Sequence, residues 1–248
     1  MRTPDREYVA PVARYRIRFA KRGRMRFASH RDFQRVFERA LRRAGVPMAY
    51  SAGFSPHPKI SYANAVATGA ASEAEYVEIG TAAALDPTVL QQALDASLPS
   101  GFDVLDVVTA RTGHFVDRLE GSVWRIRLPQ VSESDLADAV AALLAETHVE
   151  VERMTKKGAR RFDVRADLLS VECGTDESGC AILTLVVRHA VPVVRPDDVL
   201  AGLRQVASLA TPSPPVVTRM AQGPLTADGR GVTDPFGPDR EESARAPA

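Results

Sequence analysis

The stretch ARYRIRFAKRGRMRFASHRDFQRVFERALRRAG, residues 13–45, decides the fold of the first part of the chain. Apolar and basic residues alternate over residues 12–20, which is typical of a strand with one buried face. Ser29 then precedes a helical pattern, and Asp32 lies three positions later, as in a capping box. The apolar residues that follow at helical spacing are Phe33, Val36, Phe37, Ala40, Leu41 and Ala44. This pattern predicts a strand followed by an amphipathic helix.

Further elements are predicted up to residue 108. The pair Asp86-Pro87 suits an N-cap and a first helical residue, and it predicts a second helix that ends before Pro99. The other predicted strands lie at residues 48–50, 60–66, 75–81 and 102–108. Counted without the short run at residues 48–50, the resulting order is β-α-β-β-α-β, which is that of the ferredoxin-like fold.

The second part of the chain repeats this order. Residues 124–128 match residues 15–19 in their alternation of apolar and basic side chains, and Ser132 with Asp135 forms another predicted capping box. A further helix is predicted through Val199, Leu200, Leu203 and Val206. The predicted strands of this part lie at residues 148–154, 161–169, 181–188 and 215–220. The predicted fold class is therefore α+β, with two tandem ferredoxin-like modules.

Domain boundaries follow from these elements. Residues 1–12 are predicted to be a flexible N-terminus. The basic module, the linker and the second module are predicted at residues 13–110, 111–121 and 122–220. From residue 221 on the chain is rich in Gly, Pro, Asp and Arg and has few apolar residues. Because so few apolar side chains cannot offset the entropy of ordering, residues 221–248 are predicted to be a disordered tail.

Composition excludes several classes of protein. The chain has 248 residues, of which 45% are hydrophobic and 25% charged, as in ordinary globular proteins. It has no apolar run long enough for a membrane-spanning helix, and residues 1–11 lack the apolar core of a secretory signal. The spacing of Cys173 and Cys180 fits no common zinc or iron–sulfur pattern. These features predict a cytoplasmic protein with reduced thiols and without a bound metal.

Charge is distributed unevenly along the chain. Residues 1–62 contain 15 Lys and Arg against four Asp and Glu, a net charge of +11, whereas the remainder has a net charge of −10. A concentrated basic segment is typical of a surface that binds a polyanion, and RNA is the predicted ligand. The alternative is that the two parts neutralise each other.

The candidate nucleic-acid-binding residues lie on the strand, the turn, the helix and a loop of the basic segment. Arginine binds phosphate in a bidentate manner and stacks on bases. The candidates are Arg16, Arg18, Lys21, Arg24, Arg31, Arg35, Arg39, Arg42, Arg43, Phe54, His57 and Lys59. The strand arginines, with Arg14, are expected on the open face of the sheet. The alternatives are an ordinary solvated helix face and a rigid turn whose Phe54 fills the core.

Two histidines are candidates for acid–base chemistry. His30 lies at the start of the predicted helix, and His57 lies between two prolines in the loop 51–59. A pair of histidines can act as general acid and base, although His30 also suits a position beside the helix cap. The sequence contains no Gly-rich phosphate loop, no dinucleotide fingerprint, no H-E-x-x-H and no RNP-type aromatic motif.

Four segments carry a resemblance to a known family: RIRFAKRG at residues 16–23, FASHRDFQRVFERALRRAGVP at 27–47, YSAGFSPHPKISYA at 50–63 and GAASEAEYVEI at 69–79. The chain resembles the bacterial radical-SAM-linked family of unknown function, the DUF2344 type. Members of that family stand alone or follow a radical-SAM enzyme in one polypeptide, and they are encoded near ribosomal proteins and an endoribonuclease.

The resemblance implies a non-catalytic partner that presents tRNA or rRNA to a radical-SAM enzyme in trans. This sequence lacks C-x3-C-x2-C, so the 4Fe-4S cluster and S-adenosylmethionine would be carried by the partner. One alternative is a resemblance to the metal-independent CRISPR endoribonucleases of the Cas6 type. In that case His30 or His57 would act as general acid or base, and Lys21 or Lys59 would stabilise phosphate charge. A second alternative is an assembly factor whose basic face binds an acidic protein.

Overall fold

The structure, a computed structural model, describes residues 10–52, 54–155 and 158–245. The chain forms two units, one made of Met1–Val116 together with Phe236–Ala248 and the other of Asp117–Pro235. Helices and antiparallel strands occur in both units, so the α+β prediction is confirmed. In the described part of the chain, no helix combines the length and the apolar character needed to cross a membrane.

The first unit has a four-stranded antiparallel sheet. Its strands are β1 (Ala13–Lys21), β2 (Ile60–Ala63), β3 (Ala71–Thr81) and β4 (Val104–Thr109), with α1 (His30–Arg43) after β1 and α2 (Pro87–Asp95) after β3. The strand order is β4-β1-β3-β2. Residues 48–50, predicted to be a strand, make only isolated bridges from Met48 to Thr81 and from Tyr50 to Pro58.

The core of this unit lies between the sheet and the helices α1 and α2. The alternation in β1 buries Tyr15, Ile17 and Phe19, as the sequence predicts. The ring of Phe33 on α1 stacks on Phe19 with ring centroids 4.1 Å apart, and Phe37 lies beside it, fully buried. Each such buried side chain contributes roughly 1.5–3 kcal/mol relative to an exposed one. This packing holds α1 by its apolar face and leaves the opposite face in solvent.

The second unit contains six strands and two helices. The strands are β5 (Gly121–Leu128), β6 (Glu150–Thr155), β7 (Gly158–Asp163), β8 (Leu168–Thr175), β9 (Ala181–Arg188) and β10 (Val216–Gly223). Within the unit the main sheet has the antiparallel order β10-β5-β9-β8, and β6 and β7 form a separate pair. The helices α3 (Glu133–Ala145) and α4 (Pro196–Ala207) bury Leu136, Leu143 and Leu203 against the main sheet.

The single strand predicted at residues 161–169 is wrong, because the structure divides this segment between β7 and β8. The carboxylate of Asp163 accepts hydrogen bonds from the backbone N–H groups of Val149 and Arg165, both at 2.9 Å. These bonds form a turn, and the chain leaves the β6–β7 pair before it enters β8. Apolar periodicity alone does not reveal such a turn.

The predicted disorder of residues 221–248 is wrong for residues 221–245, which are part of the described structure. Residues 221–223 complete β10, and α5 (Gly237–Arg245) belongs to the first unit. Phe236 is fully buried, with its ring centroid 5.4 Å from that of Tyr76 and 5.7 Å from that of Phe115. A few specific anchors order a segment whose average composition predicts disorder. Residues 246–248, like residues 1–9 of the predicted flexible N-terminus, lie outside the described residues.

Candidate nucleic-acid interface

Four arginines form a row on the solvent face of α1, here called the α1 arginine row: Arg31, Arg35, Arg39 and Arg42. Their spacing of three or four residues places them on one face of the helix, over about 16 Å of its length. All four side chains are exposed. Among the residues that the structure describes, none of the four has a carboxylate within ion-pair distance. The row is therefore a line of positive charge that the described part of the protein does not neutralise.

The N-terminus of α1 is held by the predicted capping box. Ser29 accepts a hydrogen bond from the backbone of Asp32 at 3.2 Å, and the Asp32 carboxylate accepts one from the backbone of Ser29 at 3.1 Å. The hydrogen bonds from Ser29, with smaller contributions from Arg35 and Arg31, lower the pKa of Asp32. The cap defines where α1 begins and so defines the register of the arginine row.

The strand arginines do not form the predicted open row. Arg16 is 3% exposed, and its guanidinium donates to Asp239 on α5 and to Glu78 Oε2 at 3.0 Å. The expectation that Arg16 binds RNA is therefore wrong, because its charge is buried and paired under α5. Arg14 is exposed but pairs with Glu78 at 3.4 Å. Arg18 is half-buried, and its Nε atom is buried without a hydrogen-bond partner in the described structure.

The basic turn after β1 is mostly occupied by internal contacts. Lys21 is buried, which contradicts its predicted place on the binding surface. Arg22 pairs with Glu73 and with Asp103, and its pKa is raised chiefly by the hydrogen bond to Glu73. Arg24 is exposed, and Arg43 at the end of α1 donates to the carbonyl oxygen of Ser97. Of these residues, Arg24 is exposed and has no ion pair or hydrogen bond from its side chain in the described structure.

The loop after α1 is closed at its base by backbone hydrogen bonds. The N–H of Ser51 donates to the carbonyl of His57 at 2.8 Å, and the N–H of Lys59 donates to that of Ala49 at 2.8 Å. Phe54 is 96% exposed, so the alternative that it fills the core is wrong. His57 is exposed and Lys59 half-buried. The loop thus presents an aromatic ring and an imidazole to solvent.

His30 and His57 are not brought together. His30 is the first residue of α1 and His57 lies in the loop 51–59, and within the described structure no hydrogen bond or ring contact joins them. The His30 ring contacts Tyr62 edge-on at 5.0 Å, and its Nε2 atom lies 3.1 Å from Gln34 Nε2. Burial, followed by the charge of Glu38, raises the pKa of Tyr62. The arrangement therefore offers His30 or His57 singly, not as a catalytic pair.

Sequence reasoning missed two exposed aromatic residues near α1. Phe27, just before the helix, is 59% exposed, and Tyr50 at the base of the loop is about half exposed. The guanidinium of Arg26 lies over the Phe27 ring at 4.6 Å. In the sequence Phe27 follows Arg26, and Tyr50 directly precedes the loop 51–59. This adjacency is the sequence signal that could have identified both residues.

A serine and a histidine are in contact in the second unit. Ser122 Oγ lies 2.6 Å from His189 Nε2, and His189 Nδ1 lies 2.6 Å from the carbonyl oxygen of Leu119. Burial lowers the pKa of His189, and Ser122 is fully buried. Because no substrate can reach the hydroxyl of Ser122, this contact is structural. Within the described ranges, no group of three or more His, Cys, Asp and Glu residues is arranged to hold a metal.

Comparison with known protein families matches residues 14–196 to the model of an uncharacterized protein conserved in bacteria, DUF2344. The match covers most of the chain and includes α1, the loop after it and the first three strands of the second unit's main sheet, β5, β8 and β9. No curated protein matches the chain.

Proposed function

This chain belongs to the bacterial DUF2344 family, and from that premise we propose that its first unit binds RNA through the α1 arginine row. The observation that carries the proposal is the exposure of four arginines without carboxylate partners in the described structure. Arginine presents a planar fork of N–H donors that matches phosphate oxygens, and each phosphate contact releases counterions. A row of such groups suits the regular charge of a nucleic-acid backbone.

Repulsion between neighbouring arginines of α1 supports the proposal that the α1 arginine row binds an anionic ligand. Like charges three or four residues apart on a helix destabilise it by about 0.2–0.5 kcal/mol per pair. The row contains such pairs at Arg31 with Arg35, Arg35 with Arg39 and Arg39 with Arg42. A face that served only to contact solvent would gain stability from alternating signs. These like-charge pairs lower the stability of the helix, Asp32 and Glu38 compensate part of the loss, and binding a polyanion offsets the rest.

The wider role that we propose is the presentation of tRNA or rRNA to a radical-SAM enzyme in the cytoplasm. The enzyme would act in trans and carry the 4Fe-4S cluster and S-adenosylmethionine, while this chain would be non-catalytic and hold no cofactor. Two tandem ferredoxin-like modules suit this role. The proposal of two such modules is supported by the strand orders of the two units, β4-β1-β3-β2 and β10-β5-β9-β8. When β6 and β7 are treated as an insertion, the two orders have the same connectivity.

The test is fluorescence anisotropy with labelled tRNA and rRNA fragments across a salt series. With about four phosphate contacts, the logarithm of the association constant is expected to fall with the logarithm of the salt concentration with a slope of roughly −3. The combined change Arg35→Glu, Arg39→Glu and Arg42→Glu is expected to weaken binding at least about tenfold and to flatten the slope. Because the change exchanges like-charge Arg pairs for like-charge Glu pairs, far-UV circular dichroism of the variant is needed to show that the fold is intact.

A matched control reverses the same amount of charge elsewhere. Three exposed arginines of the second unit serve this purpose: Arg125, Arg160 and Arg188. The variant in which these three arginines are changed to Glu is expected to keep most of the RNA affinity of the wild type. If both triple variants bind RNA as the wild type does, the row does not bind RNA. The basic face would then be assigned to a protein, and a pull-down that survives nuclease treatment would identify it.

A second candidate is metal-independent RNA cleavage, which the exposed position of His30 beside Arg31 favours. A histidine next to a phosphate-binding arginine has the chemistry of a general acid or base. Incubation of labelled RNA with the protein in EDTA tests this function. Cleavage by the wild type that is lost in His30→Ala would support this function. RNA that stays intact with the wild type would exclude it.

A further inference from the structure

Exposed aromatic residues flank the α1 arginine row in the sequence. Phe27 precedes the helix and is 59% exposed, and Phe54 follows it and is 96% exposed. Two exposed phenylalanines that flank a basic helix in the sequence offer aromatic faces to a ligand.

Backbone hydrogen bonds anchor the segments that carry both rings. Phe27 ends the short 3-10 turn Gly23–Phe27, in which the N–H of Ala28 donates to Met25 at 2.9 Å. The loop that carries Phe54 is closed by the hydrogen bond from Ser51 to His57 described above, and Ala49 donates to Gly80 of β3 at 2.9 Å. The rings are thus presented on anchored segments, which lowers the entropy lost when a ligand binds.

The Phe27 ring has one face already occupied. The Arg26 guanidinium lies 4.6 Å from the ring centroid on that face. With 59% of the residue exposed, the ring can still receive a planar ligand. A nucleobase is planar and polarisable, and it stacks on an aromatic ring with little dependence on its identity.

We propose that the ligand of this surface is a single-stranded segment of RNA, whose phosphates contact the α1 arginine row and whose bases stack on Phe27 and Phe54. The inference rests on the proposed function and specifies its substrate. Bases in a duplex are stacked on one another and paired, so they have no free face for these rings. Unstacked bases in loops, bulges and ends have a free face on which an aromatic ring can stack. Proteins that bind single strands with little sequence preference combine a basic groove for the backbone with aromatic side chains for the bases.

The experiment compares one 12-nucleotide RNA, single-stranded and annealed to its complement, by anisotropy at one salt concentration. We expect the wild type to prefer the single strand at least about tenfold. Phe54→Leu and Phe27→Leu keep apolar bulk but remove the aromatic face, and each is expected to lower single-strand affinity roughly tenfold. Val191→Ala, at a 90% exposed position of the second unit, is the control and is expected to change nothing.

A direct readout of stacking uses the same oligonucleotide with 2-aminopurine at single positions. Binding is expected to quench the fluorescence of 2-aminopurine at two separated positions. Phe54→Leu is expected to restore the fluorescence at one of these positions, and Phe27→Leu at the other. Equal affinity for the duplex, with no effect of either substitution, would overturn the inference. If the arginine variant still abolishes binding in that case, the proposed function survives alone. If neither RNA binds, both proposals fail.

Discussion

Arg16 and Asp239 form a buried ion pair between β1 and α5. The Asp239 carboxylate also accepts hydrogen bonds from the backbone N–H groups of Arg111 and Thr112, both at 3.0 Å, and from Thr112 Oγ1 at 2.7 Å. A buried pair is stable only when its remaining donors and acceptors are satisfied. The saturated carboxylate therefore keeps the Arg16 charge in place within the first unit.

Removing the Asp239 charge leaves Arg16 with Glu78 as its remaining carboxylate partner. Asp239→Asn is expected to lower the free energy of unfolding by about 1.5–3 kcal/mol, the range for hydrogen bonds to charged groups. Urea denaturation followed by far-UV circular dichroism measures this loss. Asp138→Asn, at an exposed position on α3, is the control and is expected to change stability by less than about 0.5 kcal/mol. A loss of similar size in both variants would contradict the assignment of Asp239 as an anchor.

The pH dependence of stability gives an independent check on the same residue. Burial alone would raise the pKa of Asp239, but hydrogen bonds from Thr112 and Arg16 outweigh burial and lower it. Since the folded pKa lies below the unfolded value of about 3.9, the carboxylate stabilises the fold at neutral pH. This contribution is lost as the pH falls from about 5 through the folded pKa. The wild type is expected to lose stability over that range more steeply than Asp239→Asn.

Among the elements, α1 is the one on which the candidate interface depends. Its capping box holds its first turn, so Ser29→Ala is expected to lower the free energy of unfolding by about 1 kcal/mol. Equilibrium denaturation of this variant beside Ser55→Ala, an exposed loop position, measures the effect. If the cap also orders the helix for binding, Ser29→Ala weakens RNA affinity while Ser55→Ala does not.

The elements with explicit start signals were predicted closely from the sequence. Ser29 and Asp86 are the N-caps of α1 and α2, as expected. The strand predicted across residues 161–169 failed because the turn at Asp163 depends on its contact with Val149. Local periodicity carries information about neighbours in sequence, whereas this turn is formed by a partner 14 residues away.

At the scale of the whole chain, its last described residues complete the first unit. The segment that begins at Phe236 belongs with Met1–Val116, so the first unit is complete only after the second unit has been made. A chain that stops at Pro235 lacks Phe236 and Asp239. Arg16 then loses one of its two carboxylate partners, and Tyr76 and Phe115 lose their ring contacts with Phe236.

This truncation is expected to destabilise the first unit and spare the second. Hydrogen exchange followed by mass spectrometry is expected to show faster exchange in peptides from β1 and β4 and unchanged exchange in β8 and β9. The single tryptophan, Trp124, lies in the second unit, so its fluorescence reports on that unit alone. A chain that ends at residue 245 is the control. Faster exchange in both units would contradict the assignment of α5 to the first.

The sequence by itself determined the α+β class, the caps and faces of α1, and the exposure of the arginine row. These features follow from local spacing, because a helix held by one apolar stripe leaves the opposite face in water. Only the tertiary structure decided that Arg16 is buried, that residues 221–245 are ordered and that Phe54 is exposed. The pair of Arg16 and Asp239 joins residues 223 positions apart. Such contacts depend on how the chain folds back on itself, and no local pattern of charge or hydropathy records them.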